Sequence, residues 1–456
     1  MGPLKPHPQN PRYFADPSGK SVYLTGLHTW NNLRDMGKTD PPPAFDYRKY
    51  LDFLEERDLN FIRLWSWDLT RCKVNETQIF AEQFPWQRTG PGTALDGKPK
   101  FNLDTFDDTY FRRLRSRVEA AEKRGIYVSV MLFEGWALHA SEEPWCWDGH
   151  PFNSKNNING IDGDPDGDGR GIETHTLDVP EVLELQKRYV GKVIDTLNDL
   201  DNVLYEITNE SGVYSTVWQY HMIDFIHEYE RNKNKQHPVG MTFQYNRDKA
   251  NRGTNAILFD SPADWISPNP EGGYQDNPPA SDGSKIIITD TDHLWGIGGN
   301  RAWVWKSFCR GLNPIFMDRY GYVEPKKSGG ENKPVWADYL SPVPENDPQF
   351  DSLRDNLGYA KSYADRMDLA LAAPMNDLCS TGYCLANPGY EYLVYAPEGG
   401  TFTLSFDGTE KIYRIEWMNP ENGSITSVGN IRGKNTNEFT SPFQGDAVLY
   451  LITANE

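Results

Sequence analysis

The sequence contains no long apolar run. Among its 456 residues, the most apolar stretches, such as residues 127–133, have only the length of a strand. A helix that spans a bilayer needs about 20 mostly apolar residues. Residues 1–11 also lack the charged head and apolar centre of a secretory signal. We therefore expect neither a membrane span nor a signal peptide within this chain.

Basic residues are scarce relative to acidic ones. The chain has 46 Lys and Arg residues against 65 Asp and Glu residues, which gives a formal net charge of -19. This balance repels phosphate backbones and anionic lipid headgroups. Nucleic acids and membrane surfaces are therefore not expected as partners. The oligomeric state stays open.

Cysteine is scarce as well. Five cysteines are too few and too scattered for a small domain that is stabilised mainly by disulfides. Cys379 and Cys384 are close enough in sequence to pair in an oxidising compartment. The sequence leaves open whether they do.

Glycine-rich nucleotide loops and solenoid repeats are also missing. Instead, up to about residue 371, short apolar runs alternate with amphipathic segments, which is typical of βαβ units and a parallel sheet. Eight strands over about 350 residues fit a (β/α)8 TIM barrel, predicted for residues 1–372. The predicted strands are residues 22–27, 60–65, 126–133, 203–207, 238–243, 265–267, 285–289 and 314–317.

The C-terminal part has a different pattern. Apolar and polar side chains alternate in residues 402–406, 413–417 and 448–452, and turn signals such as Asn422-Gly423 separate these runs. This alternation predicts that residues 373–456 form a small antiparallel β-sandwich that follows the α/β barrel.

Aromatic residues are abundant. The chain has 14 Trp, 24 Tyr and 21 Phe residues, or 13% of its length. Planar rings stack on the faces of sugars, but they also pack protein cores. Composition alone does not separate these two roles.

Carboxylates follow two predicted strands at the end where a barrel carries its active site. The fourth strand runs directly into Asn209-Glu210, and the seventh ends at Asp290 and Asp292. An acid such as Glu210 is also favoured at a helix N-terminus without any catalytic role. However, two carboxylates that face each other across a barrel mouth are the minimal apparatus for glycoside hydrolysis. Glu210, Asp290 and Asp292 are therefore the candidate catalytic residues.

Other polar and aromatic residues near the strand ends are candidate substrate-binding residues. Each has a structural alternative, such as an internal ion pair for the charged residues or packing beneath a loop for the tryptophans. The candidates are His28, Trp30, Arg63, Trp67, Glu134, Trp136, Asn209, His293, Trp295 and Asp318.

The order of these motifs resembles the clan A glycoside hydrolases, which include cellulase-like and mannanase-like barrels. The resemblance lies in Asn209-Glu210, in the acidic end of the seventh strand and in Arg63 within Phe61-Ile-Arg-Leu-Trp65. It implies that Glu210 is the acid/base and that a strand-seven carboxylate is the nucleophile. It also implies that Arg63 orients this carboxylate and holds it ionised.

The C-terminal stretch resembles a β-module known as a collagen-binding domain, which often follows such barrels in bacteria. The resemblance is carried by Tyr383-Cys-Leu-Ala386, Ile415-Glu-Trp-Met-Asn-Pro420 and Gly445-Asp-Ala-Val-Leu-Tyr450. With the barrel included, it spans nearly the whole chain. It implies a bacterial protein that is secreted or periplasmic.

One departure concerns the seventh strand, where the clan has Glu and this sequence has only Asp290 and Asp292. Asp290 corresponds to the clan's nucleophile, whereas Asp292 lies nearer to the loop and next to His293. Side chains two apart on one strand share a face but differ in depth by about 6.6 Å, so both stay candidates. The shorter side chain could widen the gap toward the ~6.5–9.5 Å of inverting enzymes, so retention is not assured.

Residues 162–173 match the calcium-loop pattern D-x-D-x-D-G-x5-E. Oxygen ligands at alternate positions suit a hard cation, and the glycine permits a sharp turn. A metal-free acidic loop is the alternative. The match predicts a structural Ca2+ held by Asp162, Asp164, Asp166, Asp168 and Glu173, with Asp168 contributing its backbone carbonyl or its side chain.

Together, these patterns predict a glycoside hydrolase that cleaves O-glycosidic bonds of a poly- or oligosaccharide with two carboxylates, retention being favoured. One alternative is a metal-dependent barrel hydrolase that uses strand-end His and Asp residues as ligands. The other is a non-catalytic carbohydrate-binding protein. The sequence does not select the sugar or the linkage.

Overall fold

The central feature of the structure, a computed structural model, is a closed barrel of eight parallel strands. The structure describes residues 2–74, 77–139, 146–319, 340–344, 348–406, 408 and 410–454. Each barrel strand pairs with its neighbours in the chain, and the last strand pairs with the first. The predicted barrel is confirmed, and every predicted strand overlaps an observed one. The strands are β1 (Gly26–His28), β2 (Phe61–Leu64), β3 (Tyr127–Glu134), β4 (Val203–Asn209), β5 (Val239–Thr242), β6 (Trp265–Ser267), β7 (Ile286–Asp290) and β8 (Asn313–Met317).

Helices surround the barrel. On the first, Tyr47, Tyr50 and Leu54 are buried at helical spacing, and the Asp46 side chain caps the N-terminus by accepting a hydrogen bond from Lys49 N. None of the helices in the described ranges is long and apolar enough to cross a membrane. The α-helices are α1 (Tyr47–Glu55), α2 (Asp108–Glu122), α3 (Trp136–His139), α4 (Pro180–Leu197), α5 (Thr216–Glu230), α6 (Asn255–Asp260), α7 (Thr291–Trp295), α8 (Arg301–Cys309) and α9 (Asp351–Ala364). Short 3-10 helices cover Trp147–Gly149, Ile172–His175, Val213–Ser215, Lys249–Asn251, Glu271–Gly273, Pro348–Phe350 and Asn376–Leu378.

The N-terminal end of the barrel is closed by the start of the chain. The strands Lys5–Pro6, Phe14–Ala15 and Ser21–Val22 form a small antiparallel sheet there. Leu4 and Phe14 pack in one apolar cluster with strand residues such as Leu204. A ligand therefore has access at the opposite, C-terminal end.

The connections that follow β1 and β2 carry strands of their own, although the sequence predicts only loops there. Polar residues and the Gly90-Pro91-Gly92 segment interrupt any alternation in this part of the chain. Three strands form one sheet, and two more form a hairpin. They are Met36–Gly37, Arg71–Val74 and Thr77–Ala81, and then Trp86–Thr93 and Pro99–Phe106.

A disulfide joins Cys72 to Cys146 across 74 residues of sequence. The suggested Cys379–Cys384 pair is absent, because both are free thiols in the structure. Cys384 is fully buried, and the Sγ of Cys379 lies 3.1 Å from Oγ1 of Thr381.

The C-terminal module is an antiparallel sandwich, as predicted. Its strands are β9 (Ala373–Pro374), β10 (Cys384–Asn387), β11 (Glu391–Ala396), β12 (Thr401–Ser405), β13 (Ile412–Met418), β14 (Ile425–Arg432), β15 (Thr436–Thr440) and β16 (Ala447–Thr453). A six-stranded sheet, in the order β9-β10-β11-β16-β13-β14, faces the two-stranded sheet β12-β15, and apolar residues such as Phe402, Trp417 and Phe439 fill the core.

Candidate active site

A cavity of about 570 Å³ opens at the C-terminal ends of the barrel strands. Its size is in the range of pockets that hold small ligands. Tryptophans and carboxylic acids dominate its wall. The lining residues described are Trp30, Trp65, Trp67, Glu134, Trp136, Asn209, Glu210, Phe243, Tyr245, Arg252, Pro270, Gln275, Asp292, His293, Leu294, Trp295, Gly296, Ile297 and Met317.

Glu210 enters this cavity through a left-handed turn at the end of β4. Its φ is +48°, which is uncommon for a residue other than glycine and costs about 1–3 kcal/mol. Its carbonyl oxygen accepts a hydrogen bond from His139 Nε2 at 2.7 Å. A Cβ on Gly135 would lie 1.9 Å from the Ser211 Oγ, so a glycine is needed where β3 approaches this turn.

The environment of Glu210 favours its protonated form. Burial raises the pKa of Glu210 well above its usual value, and the negative charges of Asp292 and Glu134 raise it further. A buried acid that keeps its proton near neutral pH can act as a proton donor.

Asp290 ends β7 and is fully buried outside the cavity wall. Its carboxylate accepts hydrogen bonds from His28 Nε2 at 2.9 Å, Arg63 Nη1 at 2.8 Å and the backbone N of Asp292 at 2.9 Å. Burial opposes ionisation, but His28 and Arg63 outweigh it and hold the pKa of Asp290 well below its usual range. The family-like candidate is therefore an ionised carboxylate that has no access to a ligand in the cavity.

His28 supports Asp290 and does not reach the cavity. Its Nδ1 accepts a hydrogen bond from Trp65 Nε1 at 2.9 Å. Since an indole N–H only donates, Nε2 carries the proton that is donated to Asp290. Burial lowers the pKa of His28. The side chain of His28 is fully buried and is not among the residues that line the cavity, so the structure places it as a partner of Asp290.

Arg63 makes the contact with strand-seven carboxylates that the resemblance implied. Besides Asp290, its Nη1 donates to Asp292 Oδ2 at 3.2 Å. Its Nε donates to Glu206 Oε2 and its Nη2 to Asn209 Oδ1, each at 2.9 Å. Arg63 is buried and is not among the residues that line the cavity.

Glu206 is a partner that the sequence analysis missed. It lies in β4 and is fully buried with Arg63. The sequence signal that could have identified Glu206 is an acid inside an otherwise apolar strand. Its cationic partner, however, lies 143 residues away in sequence.

Of the two aspartates at the end of β7, Asp292 is the one that lines the cavity. The strand ends at Asp290, and Asp292 lies in the first turn of α7. The expectation of two side chains on one strand face is therefore wrong. Burial and the neighbouring charge of Asp290 raise the pKa of Asp292 to about 7, while Arg63 acts to lower it. Asp292 thus lines the same cavity as Glu210, and the guanidinium of Arg63 lies at hydrogen-bond distance from its carboxyl group.

Glu134 is a third acid of the cavity wall. Its carboxylate accepts hydrogen bonds from the backbone N of Trp136 at 2.9 Å and of Ala137 at 3.1 Å. Burial raises its pKa to about 8. Glu134 therefore anchors α3 at the rim and is protonated near neutral pH.

His293 and Asn209 form a neutral hydrogen-bonding pair in the wall. His293 Nε2 lies 3.4 Å from Asn209 Oδ1, and His293 Nδ1 lies 2.7 Å from Ser267 Oγ. Burial lowers the pKa of His293 to about 3. Because the amide oxygen of Asn209 can only accept a hydrogen bond, Nε2 of His293 carries the proton and donates it to that oxygen.

The four predicted tryptophans, Trp30, Trp67, Trp136 and Trp295, all line the cavity. Asp318 does not. Its carboxylate accepts hydrogen bonds from Arg354 Nε at 2.7 Å and Nη2 at 2.6 Å, and both residues are fully buried. This ion pair, which was the structural alternative for Asp318, ties the end of β8 to α9.

Several wall residues come from the loops after β5 and β6 and were not predicted. Such loops carry no periodic pattern, and only their position above the barrel places them in the wall. They include Phe243, Tyr245, Arg252, Pro270 and Gln275.

The acidic loop brings three of its five predicted ligands together. Ligand oxygens of Asp164, Asp166 and Glu173 lie within 4.8 Å of one another. Asp164 Oδ1 and Glu173 Oε2 are buried without a hydrogen-bond partner among the described residues. Burial and the nearby acids raise the pKa of Glu173 to about 7. These acceptors fit a hard cation.

The two other predicted ligands of the loop lie outside this group. Asp162 Oδ1 accepts a hydrogen bond from Asp164 N at 3.2 Å. Asp168 Oδ2 lies 3.9 Å from Arg170 Nε. Local hydrogen bonds and a neighbouring cation thus hold both side chains.

Potential metal-ligand atoms of Asp290, Asp292 and His293 also lie within 4.8 Å of one another. Arg63 donates to both carboxylates there. A guanidinium already provides the positive charge, so this donor set fits a catalytic divalent cation poorly.

Comparisons with known proteins agree with this architecture. Residues 68–258 match a family model described as "Domain of unknown function (DUF6298)". Residues 377–452 match one described as "Putative collagen-binding domain of a collagenase". No curated protein sequence matches the chain.

Solved structures of glycoside hydrolases resemble the whole chain. A structure titled "Glycoside hydrolase" is 12% identical with a TM-score of 0.62, and the match covers 100% of this chain and 98% of that one. A glycoside hydrolase family 5 protein from Bacteroides vulgatus is 14% identical with a TM-score of 0.63, covering 100% of this chain and 93% of that one. At these identities, the likeness establishes that the chain shares the fold of these glycoside hydrolases.

Proposed function

We propose that this protein is a glycoside hydrolase in which Glu210 is the acid/base and Asp292 is the nucleophile. The observation that carries the proposal is that both carboxyl groups line one cavity. Of these two groups, Asp292 accepts a hydrogen bond from Arg63. Arg63 acts to lower the pKa of Asp292, which lies at about 7, whereas burial and the charge of Asp292 raise the pKa of Glu210 well above its usual value. Opposite protonation of two facing carboxyl groups is what glycoside hydrolysis requires.

The chemistry follows from these two protonation states. Glu210 donates its proton to the glycosidic oxygen as the bond from that oxygen to the anomeric carbon breaks. An Asp292 oxygen attacks the same carbon and forms an ester with the sugar. Water then attacks the anomeric carbon, Glu210 takes the proton from the water, and Asp292 leaves as a carboxylate. The product keeps the anomeric configuration of the substrate.

Other residues position these groups. Asp290 accepts the backbone N–H of Asp292 and thereby fixes the start of α7. His28 and Arg63 hold Asp290 from below. The tryptophan rings of the wall offer faces on which sugar rings stack.

Three variants test the assignment on a panel of aryl glycosides and polysaccharides. Glu210→Gln lowers turnover by about 10²–10⁴-fold where the leaving group must be protonated, and by less with a dinitrophenyl leaving group. Asp292→Asn abolishes turnover of both kinds of substrate. Asp290→Asn weakens catalysis but leaves it measurable. Full loss in Asp290→Asn with activity kept in Asp292→Asn would reverse the two roles.

Further measurements separate the alternatives. Nuclear magnetic resonance of the first product formed reports retention, and release of the inverted anomer would make Asp292 a general base that activates water. Sugar binding without turnover on every substrate supports a non-catalytic protein. Activity that is lost in chelator and restored by Zn2+ or Mn2+, but not by Ca2+, supports a metal-dependent hydrolase.

We also propose that the acidic loop binds a structural Ca2+ through Asp164, Asp166 and Glu173. The two buried acceptors without partners support this proposal. Nearby, His175 Nδ1 lies 2.8 Å from the Oγ of Ser211, the residue after Glu210. An ordered loop thus stabilises the turn that carries the acid.

We further propose that the protein works outside the cytoplasm. Disulfides such as Cys72–Cys146 persist in oxidising compartments. The proposed substrate, a poly- or oligosaccharide, agrees with export. Packing against the barrel is the role that we propose for the C-terminal module.

A further inference from the structure

Among its described residues, the cavity wall contains one arginine, Arg252, and no lysine. It lies in the loop between β5 and α6 and is half-buried. Three acids, Glu134, Glu210 and Asp292, line the same cavity. The polarity of the wall is therefore uneven, and Arg252 marks its positive side.

Arg252 is held in place by groups that leave its charge uncompensated. Its Nε donates to the carbonyl oxygen of Asn246 at 2.6 Å, and its guanidinium carbon lies 4.4 Å from the ring centroid of Tyr245. Arg252 has no carboxylate partner within 4.0 Å among the described residues. The donors at Nη1 and Nη2 are thus available to a ligand, in the fork geometry that pairs with a planar or tetrahedral anion.

This arrangement differs from that of Arg63, the other guanidinium close to the site. Arg63 is buried and its donors are taken by Glu206, Asp290 and Asn209. A guanidinium that only stabilised the fold of this acidic chain would be expected to find such acceptors. Arg252 instead faces the cavity on an aromatic ring.

We propose that the natural substrate carries an anionic sugar and that Arg252 binds its negative group. The group is a carboxylate, as in a uronic acid, or a sulfate ester, since both present oxygens to the guanidinium fork. This inference rests on the proposed function of the same cavity and adds the class of sugar. In a chain of net charge -19, a local cation is what lets an anion approach the three acids.

Binding to the Glu210→Gln protein tests the proposal without turnover. Isothermal titration calorimetry compares mono- and oligosaccharides in four matched forms, namely the uronic acid, its neutral methyl ester, the 6-sulfated sugar and the same sugar without sulfate. At least one anionic form binds at least ten times more tightly than its neutral counterpart. Which of the two binds distinguishes the carboxylate from the sulfate. The preference decreases as salt is added.

Substitution of Arg252 gives the second readout. In the Glu210→Gln background, Arg252→Gln removes the preference for the anionic form and leaves affinity for the neutral form within about twofold. Arg252→Lys keeps part of the preference, because the charge remains and the fork is lost. Arg231→Gln, an exposed residue paired with Glu228, is the matched control for the change in net charge. Thermal unfolding of all variants verifies that each is folded.

Two outcomes would overturn the inference in different ways. If neutral sugars bind as tightly as anionic ones, or Arg252→Gln weakens both forms equally, the anionic substrate is wrong and the glycoside hydrolase proposal stands. If no sugar binds the Glu210→Gln protein and the unsubstituted protein hydrolyses none, both proposals fail together.

Discussion

At the scale of single residues, two aspartates with one residue between them have opposite acid–base properties. Asp290 is surrounded by donors and its pKa lies well below its usual range. Asp292 faces the cavity, and burial and the charge of Asp290 raise its pKa to about 7. The ionised Asp290 thus makes Asp292 a stronger base, since a raised pKa increases its affinity for a proton.

These shifts predict a bell-shaped dependence of kcat/KM on pH. Asp292 must be ionised, so activity rises as pH increases through about 7. Glu210 must be protonated, so activity falls again at higher pH, where that proton is lost. Initial rates from about pH 5 to about pH 10 on an aryl glycoside measure both limbs. With a dinitrophenyl leaving group, Glu210→Gln should keep the acidic limb and lose the alkaline one. An acidic limb centred near the usual Asp value of about 4 would contradict the raised pKa of Asp292.

A second prediction at this scale concerns Arg63, which neutralises buried carboxylates. Arg63→Met leaves Glu206 and Asp290 without their cation, and we expect a loss of about 3–5 kcal/mol in the free energy of unfolding. Because the pKa of Asp290 is lowered in the folded state, the stability that it contributes is present above about pH 4 and is lost as pH falls below about 4. The deficit of Arg63→Met should therefore be larger at about pH 7.5 than at about pH 4.

Urea unfolding followed by circular dichroism measures this deficit. Arg231→Met serves as the control, because Arg231 is exposed and pairs only at the surface. An equal effect of the two substitutions near neutral pH would show that the buried cluster contributes no special stability.

At the scale of elements, the long connections of the barrel hold the site together. The sheet after β2 is joined by Cys72–Cys146 to the connection between β3 and α4. The acidic loop lies in that same connection, where Gly171 approaches Trp147 so closely that a Cβ on Gly171 would lie 2.3 Å from the indole ring. The disulfide and this close approach link the acidic loop to connections whose apolar residues, such as Trp86, Trp147 and Phe152, are buried in the main core.

Calcium should therefore stabilise the protein measurably. At a Ca2+ concentration about 100 times the dissociation constant, a single site adds about 2.7 kcal/mol to the free energy of unfolding. Differential scanning fluorimetry should show a higher Tm in Ca2+ than in a chelator. Glu173→Gln should abolish this difference, whereas Asp178→Asn, an exposed acid just beyond the loop, should keep it. A Tm that is the same with and without Ca2+ would contradict the proposed site.

At the scale of the whole molecule, the barrel and the module share a packed interface. Asp446 of the module accepts a hydrogen bond from Nη2 of Arg301 on α8 at 2.8 Å. Tyr363 on α9 donates to Glu416 at 2.8 Å. One continuous apolar cluster contains residues of both units. The division of the chain at residue 372 stays a prediction about folding units.

This interface predicts a single thermal transition for the full-length protein, because separating the units would expose shared apolar surface. Scanning calorimetry should give one peak, with equal calorimetric and van't Hoff enthalpies. Asp446→Ala should lower the Tm without splitting the peak, since it leaves Arg301 without its partner. Two resolved transitions in the unsubstituted protein would show that the units unfold independently.

The sequence by itself determined the architecture. Its alternating apolar runs predicted all eight barrel strands and the C-terminal sandwich, because periodic burial is a local property of the chain. The sequence also allowed the prediction of Asn209-Glu210 and of the tryptophans near strand ends as site residues, since the end of a barrel strand defines where a side chain emerges. The hairpins after β2 could not be predicted, because their polar sequence lacks the alternation of apolar and polar residues that indicates a strand.

Only the tertiary structure decided which of the two acids at the end of β7 lines the cavity. Asp290 and Asp292 look alike in sequence, and their difference arises from His28, Arg63 and the turn into α7. The same holds for Arg252, whose lack of an acidic partner among the described residues is visible only when the loops are folded over the barrel. Charge pairing and access to a cavity depend on distant segments, and no local pattern encodes them.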